Sequence, residues 1–525
     1  MKRALLPLLL LLALPLAQAQ IAPTLDPNAV TPPKPIAIAP LTSAGEATQA
    51  LYAKLREQSD PEELNLFLRQ MPKGADLHHH YSGSFYAETY LEWAKEQEVK
   101  INPETLKLEG YKQDPDAVTI DEFLAGPDNL ERLIKAWSVA GYDPEAKDAP
   151  SPDKAFFDTF VYFGGFATKT YDKGFKLLRE RARDENVLYV ETLLSGVPFY
   201  LPSRGSKAQA ALKKANEDLW NASDAELPKV LERLAKGWEK SKAFEKAVSG
   251  FVEELEQSHE GIDTDDFLLR YHSYAIREKP PVNVYSGLVA AFAAAERCDL
   301  IVAVNLVGLE NGEQALRDYR LHMRMMQFLS ARYPKVNVAL HAGEITPALV
   351  EAEDIGFHVR EAIEVAGARR IGHGIDLLRD PDPEGLMKLM IERGIPVEIN
   401  LTSNEFILGV AGPEHPYGTF RDAGVPMVLS TDDQGVVRND IVSEYALLAT
   451  RHEADYAQLK RLVYNNVRFA FLDDATKDRL KDALDARFAD FERAMADYAE
   501  AKASATPDPK PAGGPADLQL GDEPK

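Results

Sequence analysis

Short apolar runs alternate along the chain with longer segments in which apolar positions recur at helical spacing. The short runs are rich in branched and aromatic residues and are bounded by turn residues, which is typical of strands. Helical patterns lie between most of them, for example at 313–332 and 347–366. Such alternation predicts parallel strands joined by crossover helices, and eight units predict an α/β fold, the (β/α)8 TIM barrel. The predicted strands are 74–80, 187–192, 266–276, 300–306, 336–341, 370–374, 397–401 and 425–431.

Two crossovers are longer than a single helix requires. The stretch 81–186, between the first and second predicted strands, is mostly helical in pattern. Residues 203–262, in the second crossover, are rich in Lys, Glu and Ala, and 206–220 and 227–256 have the spacing of amphipathic helices packed outside the barrel. A separate linker domain is disfavoured, because the barrel pattern resumes immediately afterwards. The pattern over 457–502 predicts extra C-terminal helices.

The two ends of the chain differ in composition from its body. Lys2 and Arg3 precede an apolar run over 4–16 and the small-residue pattern at 17–19, which is typical of a secretory signal. The run is too short to span a membrane. We therefore expect an exported protein, periplasmic or extracellular. The predicted organisation is a signal peptide (1–19), a proline-rich linker (20–45), one barrel domain (46–500, with the 203–262 helical insertion) and a disordered tail (501–525).

Composition excludes several classes of protein and of site. The 83 Asp and Glu residues outnumber the 60 Lys and Arg residues, and the formal net charge of −23 argues against binding to nucleic acid. No segment after the signal is long and apolar enough to span a bilayer. The single cysteine, Cys298, excludes an internal disulfide framework, a Cys-rich zinc site and the zinc deaminases that use cysteine ligands. The oligomeric state stays open.

Polar side chains recur at the ends of the predicted strands, where barrel enzymes place their catalytic groups. His78 and His80 share one face of the first strand, whereas His79 faces the other way. Two imidazoles on one face are a natural pair of metal ligands. His341 ends the fifth strand as a candidate third ligand, and Glu344 follows it closely enough to act as a proton shuttle.

Acidic residues complete this set at the end of the eighth strand. Asp432 and Asp433 are adjacent there, and two carboxylates after an apolar strand require a cation or hydrogen-bond donors. A pair of helix N-caps would have the same pattern. His373, flanked by glycines at the end of the sixth strand, is open to a ligand. The combined set suits one catalytic zinc per chain, which would acidify its bound water, with the ligands His78, His80, His341 and Asp432.

The stretches around these residues resemble the adenosine deaminase family, a zinc-dependent branch of the amidohydrolase barrels. They occur in the family's order across about residues 70–450, and together they are far more specific than any one of them. The matching stretches are 72–80, 187–192, 305–310, 341–344, 370–374, 402–404 and 430–433.

This resemblance implies a role for each candidate. Glu344 would donate a proton to N1 of a purine, and His373 would orient the attacking hydroxide. Asp433 would bind N7, and the backbone of Gly308 would contact the base. The implied reaction is attack at C6 of a 6-aminopurine nucleoside, which converts adenosine or 2′-deoxyadenosine to the inosine product with loss of ammonia. The implied zinc ligands are His78, His80, His341 and Asp432, and the implied substrate-binding residues are His80, Ser82, Gly308 and Asp433.

One departure and three alternatives accompany this interpretation. Ser82 stands where the family commonly has an aspartate that contacts ribose, so a neutral hydroxyl replaces the sugar contact. This keeps open an amidohydrolase of another aminated purine, such as adenine or a modified nucleoside. A dinuclear phosphotriesterase-like enzyme is disfavoured, because its fourth-strand lysine is replaced by Val307 and Gly308. A non-catalytic protein on this scaffold would tolerate loss of Glu344 or a ligand, and all are present.

Overall fold

The computed structural model describes residues 32–58, 61–109 and 114–504. The predicted signal peptide, the first part of the linker and the tail after residue 504 lie outside the described residues. Within the described ranges, no helix combines the length and the apolar character that crossing a bilayer requires.

Within the described residues, eight strands form one sheet in which each strand is hydrogen-bonded to the next in chain order. The ladder returns to its start, because the N–H of His80 donates to the carbonyl of Asp432 (3.1 Å) and the N–H of Asp432 donates to the carbonyl of His78 (2.9 Å). This order confirms the predicted (β/α)8 barrel with helical insertions. The strands are β1 (Gly74–His80), β2 (Val187–Ser195), β3 (Leu268–Ile276), β4 (Ile301–Val307), β5 (Asn337–Ala342), β6 (Arg370–His373), β7 (Val397–Ile399) and β8 (Met427–Leu429).

Parallel register brings the carboxyl ends of neighbouring strands level. In β5 and β6, His341 lies beside Gly372 and Ala342 beside His373. In β7 and β8, Ile399 lies beside Leu429. The chemically reactive residues predicted after these strands are therefore presented at the same edge of the sheet.

The helices lie between the strands, as the alternation predicts. Before β2 are α1 (Ser43–Gln58), α2 (Pro61–Gln70), α3 (Ala87–Glu96), α4 (Ile120–Leu124), α5 (Asn129–Trp137), α6 (Pro152–Asp158), α7 (Phe160–Ala167) and α8 (Tyr171–Asp184). Between β2 and β6 are α9 (Ser206–Asn221), α10 (Leu227–Glu239), α11 (Lys242–His259), α12 (Pro281–Ala295), α13 (Glu313–Arg332) and α14 (His358–Glu364). After β6 are α15 (Pro383–Arg393), α16 (Leu401–Leu408), α17 (Tyr417–Ala423), α18 (Gln434–Val437), α19 (Ile441–Arg451), α20 (Tyr456–Phe469) and α21 (Asp474–Ser504).

Two predicted helices differ from the structure. The prediction of a helix over 347–366 is wrong in its first half, because α14 begins only at His358. Gly356 has a φ of +86° and donates its N–H to Asp376, and this backbone conformation interrupts a helix. The segment 227–256 contains two helices, because the chain turns after Trp238 and Ser241 caps the next helix through a bond from the N–H of Phe244. In addition, α1 begins at Ser43, inside the range predicted as linker.

The two long crossovers pack in different places. In the second, the carbonyl of Leu231 accepts from the hydroxyl of Tyr285 on α12, so α10 lies against the outer helical layer as predicted. In the first, α6 packs on α16, and the ring of Tyr142 meets that of Phe406 edge-on at 5.2 Å. The first crossover therefore lies beside the helix that follows β7.

Candidate metal centre and active site

The histidines at the end of β1 point alternately to opposite faces, as predicted. The Nε2 atoms of His78 and His80 lie 3.4 and 3.3 Å from the same oxygen, Oδ1 of Asp432. His79 faces away, and its Nδ1 lies 2.9 Å from the hydroxyl of Thr192. His78 is fully buried, whereas the side chain of His80 is 13% exposed. His80 is therefore the histidine of this pair that a ligand can reach.

Buried acceptors orient two of the imidazoles. Oε2 of Glu398 lies 2.6 Å from Nδ1 of His78, and Oδ1 of Asn305 lies 3.0 Å from Nδ1 of His341. A carboxylate can only accept, so Nδ1 of His78 donates. The Asn305 oxygen also accepts from the N–H of Leu306, which identifies it as the acceptor for His341. A ring that donates from Nδ1 offers the lone pair of Nε2 to a cation.

Among the described residues, four buried side chains place ligand atoms within 4.8 Å of one another: His78, His341, His373 and Asp432. A second group shares Asp432 with them and adds His80 and Asp433. Imidazole nitrogens with a carboxylate oxygen, and no sulfur, form a donor set that suits zinc. With two rings already oriented by their Nδ1 bonds, the residues fit such an ion. Of the four predicted ligands, the first group contains His78, His341 and Asp432 together with His373, and the second contains His80 with Asp432.

Two of these residues have strained backbone. His373 has a φ of 65° and Asp432 a φ of 61°, both in the left-handed region that residues other than glycine rarely adopt. Such a conformation costs about 1–3 kcal/mol at each position and persists only where the surroundings impose it. Here the strained residue His373 ends β6, and the strained residue Asp432 has its carboxylate beside His78 and His80.

Glu344 follows β5 on a short buried loop. Its Oε1 lies 3.6 Å from Nε2 of His373, and the residue is 6% exposed. A buried carboxyl group beside an imidazole is a pair between which a proton can be moved. The predicted proton shuttle and the predicted orienting histidine are therefore neighbours.

The predicted substrate contacts lie at other strand ends. Gly308 directly follows β4 with a φ of 101°. Ser82 follows β1, and its carbonyl accepts from the hydroxyl of Tyr90. Asp433 directly precedes α18, but its side chain makes no capping hydrogen bond there, which disfavours the alternative of a helix cap.

The sequence interpretation assigned no role to Glu398 or Asn305. The available signal for Glu398 was a lone carboxylate within the apolar strand β7. Asn305 belongs to a stretch that resembles the family, but nothing in the sequence pairs it with His341.

Glu398→Gln is expected to weaken metal binding about 10- to 100-fold, because the charged partner that orients His78 is lost. Competition with a chelator of known affinity measures this change. Glu191→Gln is the matched control, since Glu191 is also a fully buried strand carboxylate but accepts from Tyr189 and the N–H of Phe471. Wild-type metal affinity in the Glu398 variant would contradict the assigned role.

Comparison with known proteins identifies relatives for the C-terminal part of the chain. The family model described as adenosine deaminase matches residues 268–487. An adenosine deaminase from Aliivibrio fischeri is 33% identical over 183 residues, which cover 35% of this chain and 50% of that protein. The chain therefore spans about half the length of the curated relatives that it matches.

Solved structures share the fold over a larger part of the chain. Arabidopsis ADAL complexed with GMP superposes with a TM-score of 0.51 at 16% identity, covering 80% of this chain and 98% of that one. An adenine deaminase from Arthrobacter aurescens gives a TM-score of 0.50 at 17% identity, covering 79% of this chain and 98% of that one. At this identity the similarity establishes the barrel fold.

Proposed function

We propose that the chain is a zinc-dependent hydrolytic deaminase of 6-aminopurine nucleosides, with adenosine or 2′-deoxyadenosine as substrate; the adenosine deaminase family model that matches residues 268–487 supports this proposal. The products are the corresponding inosine nucleoside and ammonia. The observation that carries the proposal is the placement of Glu344 beside His373, on the loop that directly follows the metal-ligand candidate His341. This is the arrangement that acid–base chemistry next to a metal requires.

The ion would be held by His78, His80, His341 and Asp432. When bound, zinc supplies Lewis-acid chemistry and acidifies water at neutral pH. The protein contributes the orientation of its ligands, since Glu398 fixes the ring of His78 and Asn305 fixes the ring of His341.

Acid–base and binding steps fall to residues of the chain. Glu344 delivers a proton to ring N1, which draws electrons away from C6 and makes it more electrophilic. His373 orients the attacking water through its imidazole, and the amine departs as ammonia after protonation. Asp433 holds N7, and the backbone of Gly308 contacts the base. The family resemblance implies these roles, and the residues that would fill them lie at or just after the ends of barrel strands.

The backbone of Gly83 lies directly against the side chain of Asp433. A Cβ atom at Gly83 would lie 1.6 Å from Oδ1 and 2.5 Å from Cγ of that carboxylate. An alanine therefore cannot be accommodated unless the carboxylate moves.

Gly83→Ala is expected to raise KM about 10- to 100-fold, because a displaced Asp433 no longer meets N7. Steady-state kinetics and metal analysis of the same preparation measure the effect, and metal content should stay at the wild-type value. Gly164→Ala is the control, since a Cβ there, on α7, meets nothing within 4 Å. An unchanged KM in the Gly83 variant would remove Asp433 from the proposed base contacts.

A substrate panel tests the proposed activity directly. The purified zinc-loaded protein is assayed with adenosine, 2′-deoxyadenosine, adenine, AMP and N6-methylated analogues, following the loss of absorbance as the amine is removed and the release of ammonia. Turnover of adenosine or 2′-deoxyadenosine above the other compounds supports the proposal. Absence of turnover with every 6-aminopurine nucleoside overturns it.

The second candidate is a deaminase of adenine or of a modified nucleoside. Ser82 favours it, because a neutral hydroxyl stands where an aspartate would contact ribose. The same panel separates the two candidates, since preference for adenine or an N6-methylated analogue over adenosine selects the second.

Export of the protein is proposed from residues 1–19 alone, which lie outside the described residues. Their charged start, apolar run and small-residue pattern support a cleaved secretory signal. Fractionation of expressing cells, with N-terminal sequencing of the recovered protein, tests it. A mature N-terminus at residue 20 outside the cytoplasm supports export, and an intact N-terminus in the cytoplasm contradicts it.

A further inference from the structure

A buried carboxylate, Glu310, binds the main chain of the loop that carries Glu344. Its Oε1 accepts from the N–H of Gly343 (3.1 Å), and its Oε2 accepts from the N–H of Glu344 (2.9 Å). Glu310 is 1% exposed and lies between β4 and α13. Both amides after β5 are therefore held by one side chain from the neighbouring crossover.

Two further buried groups hold the Glu310 carboxylate in place. Nδ1 of His358 lies 2.6 Å from Oε1, and Nη1 of Arg277 lies 3.4 Å from Oε2. His358 is in turn fixed by Tyr319, whose ring stacks on it at 3.8 Å and whose hydroxyl donates to its carbonyl. These contacts hold the Glu310 carboxylate in place, so that it does not move with the loop that carries Glu344.

Arg277 connects this carboxylate to the strand ends. Its Nη2 donates to the carbonyls of Leu306 (2.7 Å) and His341 (2.8 Å). A rigid guanidinium that binds two strand ends and a carboxylate sets their relative positions. Arg277 and Glu310 thereby fix the position of the backbone of His341, Gly343 and Glu344 relative to β4.

The conformation of the loop requires glycine at position 343. Gly343 has a φ of +77°, and a Cβ there would lie 2.3 Å from Oδ1 of Asp376. Burial alone would raise the pKa of Glu310, but the charge of Arg277 and the bond from His358 outweigh it and lower the pKa to about 2. Glu310 therefore stays ionised, as an acceptor for N–H groups must.

We propose that Glu310 is a positioning residue for the reaction: it fixes the amides of Gly343 and Glu344 so that the Glu344 side chain faces His373. The inference rests on the proposed function for its kinetic consequence, but its structural content is independent of it. Glutamine in place of Glu310 keeps the size of the side chain, while one acceptor oxygen becomes an NH2 group facing N–H donors.

The test compares Glu310→Gln with Asp318→Asn in the full-length, zinc-loaded protein. Asp318 is a matched control, being a buried acid (2% exposed) on α13 that pairs with Trp220 and Arg317. Steady-state kinetics, metal content and hydrogen exchange of the peptide covering 341–345 are measured. Glu310→Gln should lower kcat about 10- to 100-fold, with KM within a factor of about three, unchanged metal and at least tenfold faster exchange at 343 and 344.

The outcomes separate this inference from the proposed function. Wild-type exchange at 343 and 344 in the Glu310 variant overturns positioning, whatever the activity. Faster exchange with wild-type kcat also overturns it, because the loop then moves without effect on the reaction. If the wild-type protein turns over no purine nucleoside, the proposed function fails, while the exchange measurement still decides whether Glu310 holds the loop. A loss of thermal stability with both readouts unchanged identifies a structural role only.

Discussion

Glu344→Gln is expected to lower kcat by about 10²- to 10⁴-fold while the bound metal stays at the wild-type amount. Glutamine matches glutamate in shape but cannot deliver a proton to ring N1. Glu344 is not among the residues whose ligand atoms cluster around His78, His341 and Asp432, so its replacement leaves that group intact. Stopped or continuous absorbance assays, paired with metal analysis of the same sample, measure both quantities.

A nearby glutamate serves as the control for this variant. Glu351 follows on the same connection between β5 and α14 but is exposed to solvent. Glu351→Gln should keep full activity. Turnover near the wild-type rate in the Glu344 variant would mean that another group protonates the substrate.

His78→Ala is expected to abolish metal binding and, with it, measurable turnover. The variant loses a buried Nε2 that lies 3.4 Å from Asp432 and removes the donor to Glu398. A buried carboxylate without its donor also destabilises the fold, by about 1–3 kcal/mol or more. Metal content by elemental analysis and the thermal midpoint in the presence and absence of zinc measure these effects.

The neighbouring histidine provides a control of the same residue type. His79→Ala removes the bond to Thr192 on the opposite face of β1 and leaves every proposed ligand in place. The His79 variant should be less stable to unfolding than the wild-type protein but should still bind one metal ion per chain. A full equivalent of zinc in the His78 variant would remove this residue from the ligand set.

The barrel was predictable because its signals are local. The predicted strand over 74–80 coincides with β1, and the predicted helix over 313–332 coincides with α13. Each depends on apolar periodicity and on the residues at its own ends. The failure over 347–366 arose from Gly356, whose conformation is set by a tertiary contact with Asp376.

The candidate site was predictable only in part, for a related reason. Alternation along one strand places His78 and His80 together, since that inference requires only neighbouring residues. The partner of His78, Glu398, is separated from it by 320 positions, and no pattern in a single sequence relates the two. The same holds for Glu310 and the amide of Glu344, 34 positions apart. The contacts that orient the reactive groups are therefore visible only in the three-dimensional structure.

The main-chain bonds of Asp432 with His78 and His80 have a consequence for folding. They join the first strand to the chain after the last, so the barrel closes at the residues that would bind the ion. Contacts so distant along the chain are entropically costly and form late. A bound ion would stabilise the closed barrel relative to partly assembled barrels. Chains whose barrel is still open would therefore be expected to bind zinc slowly. A fragment limited to residues 268–487 lacks β1 and cannot form this seam at all.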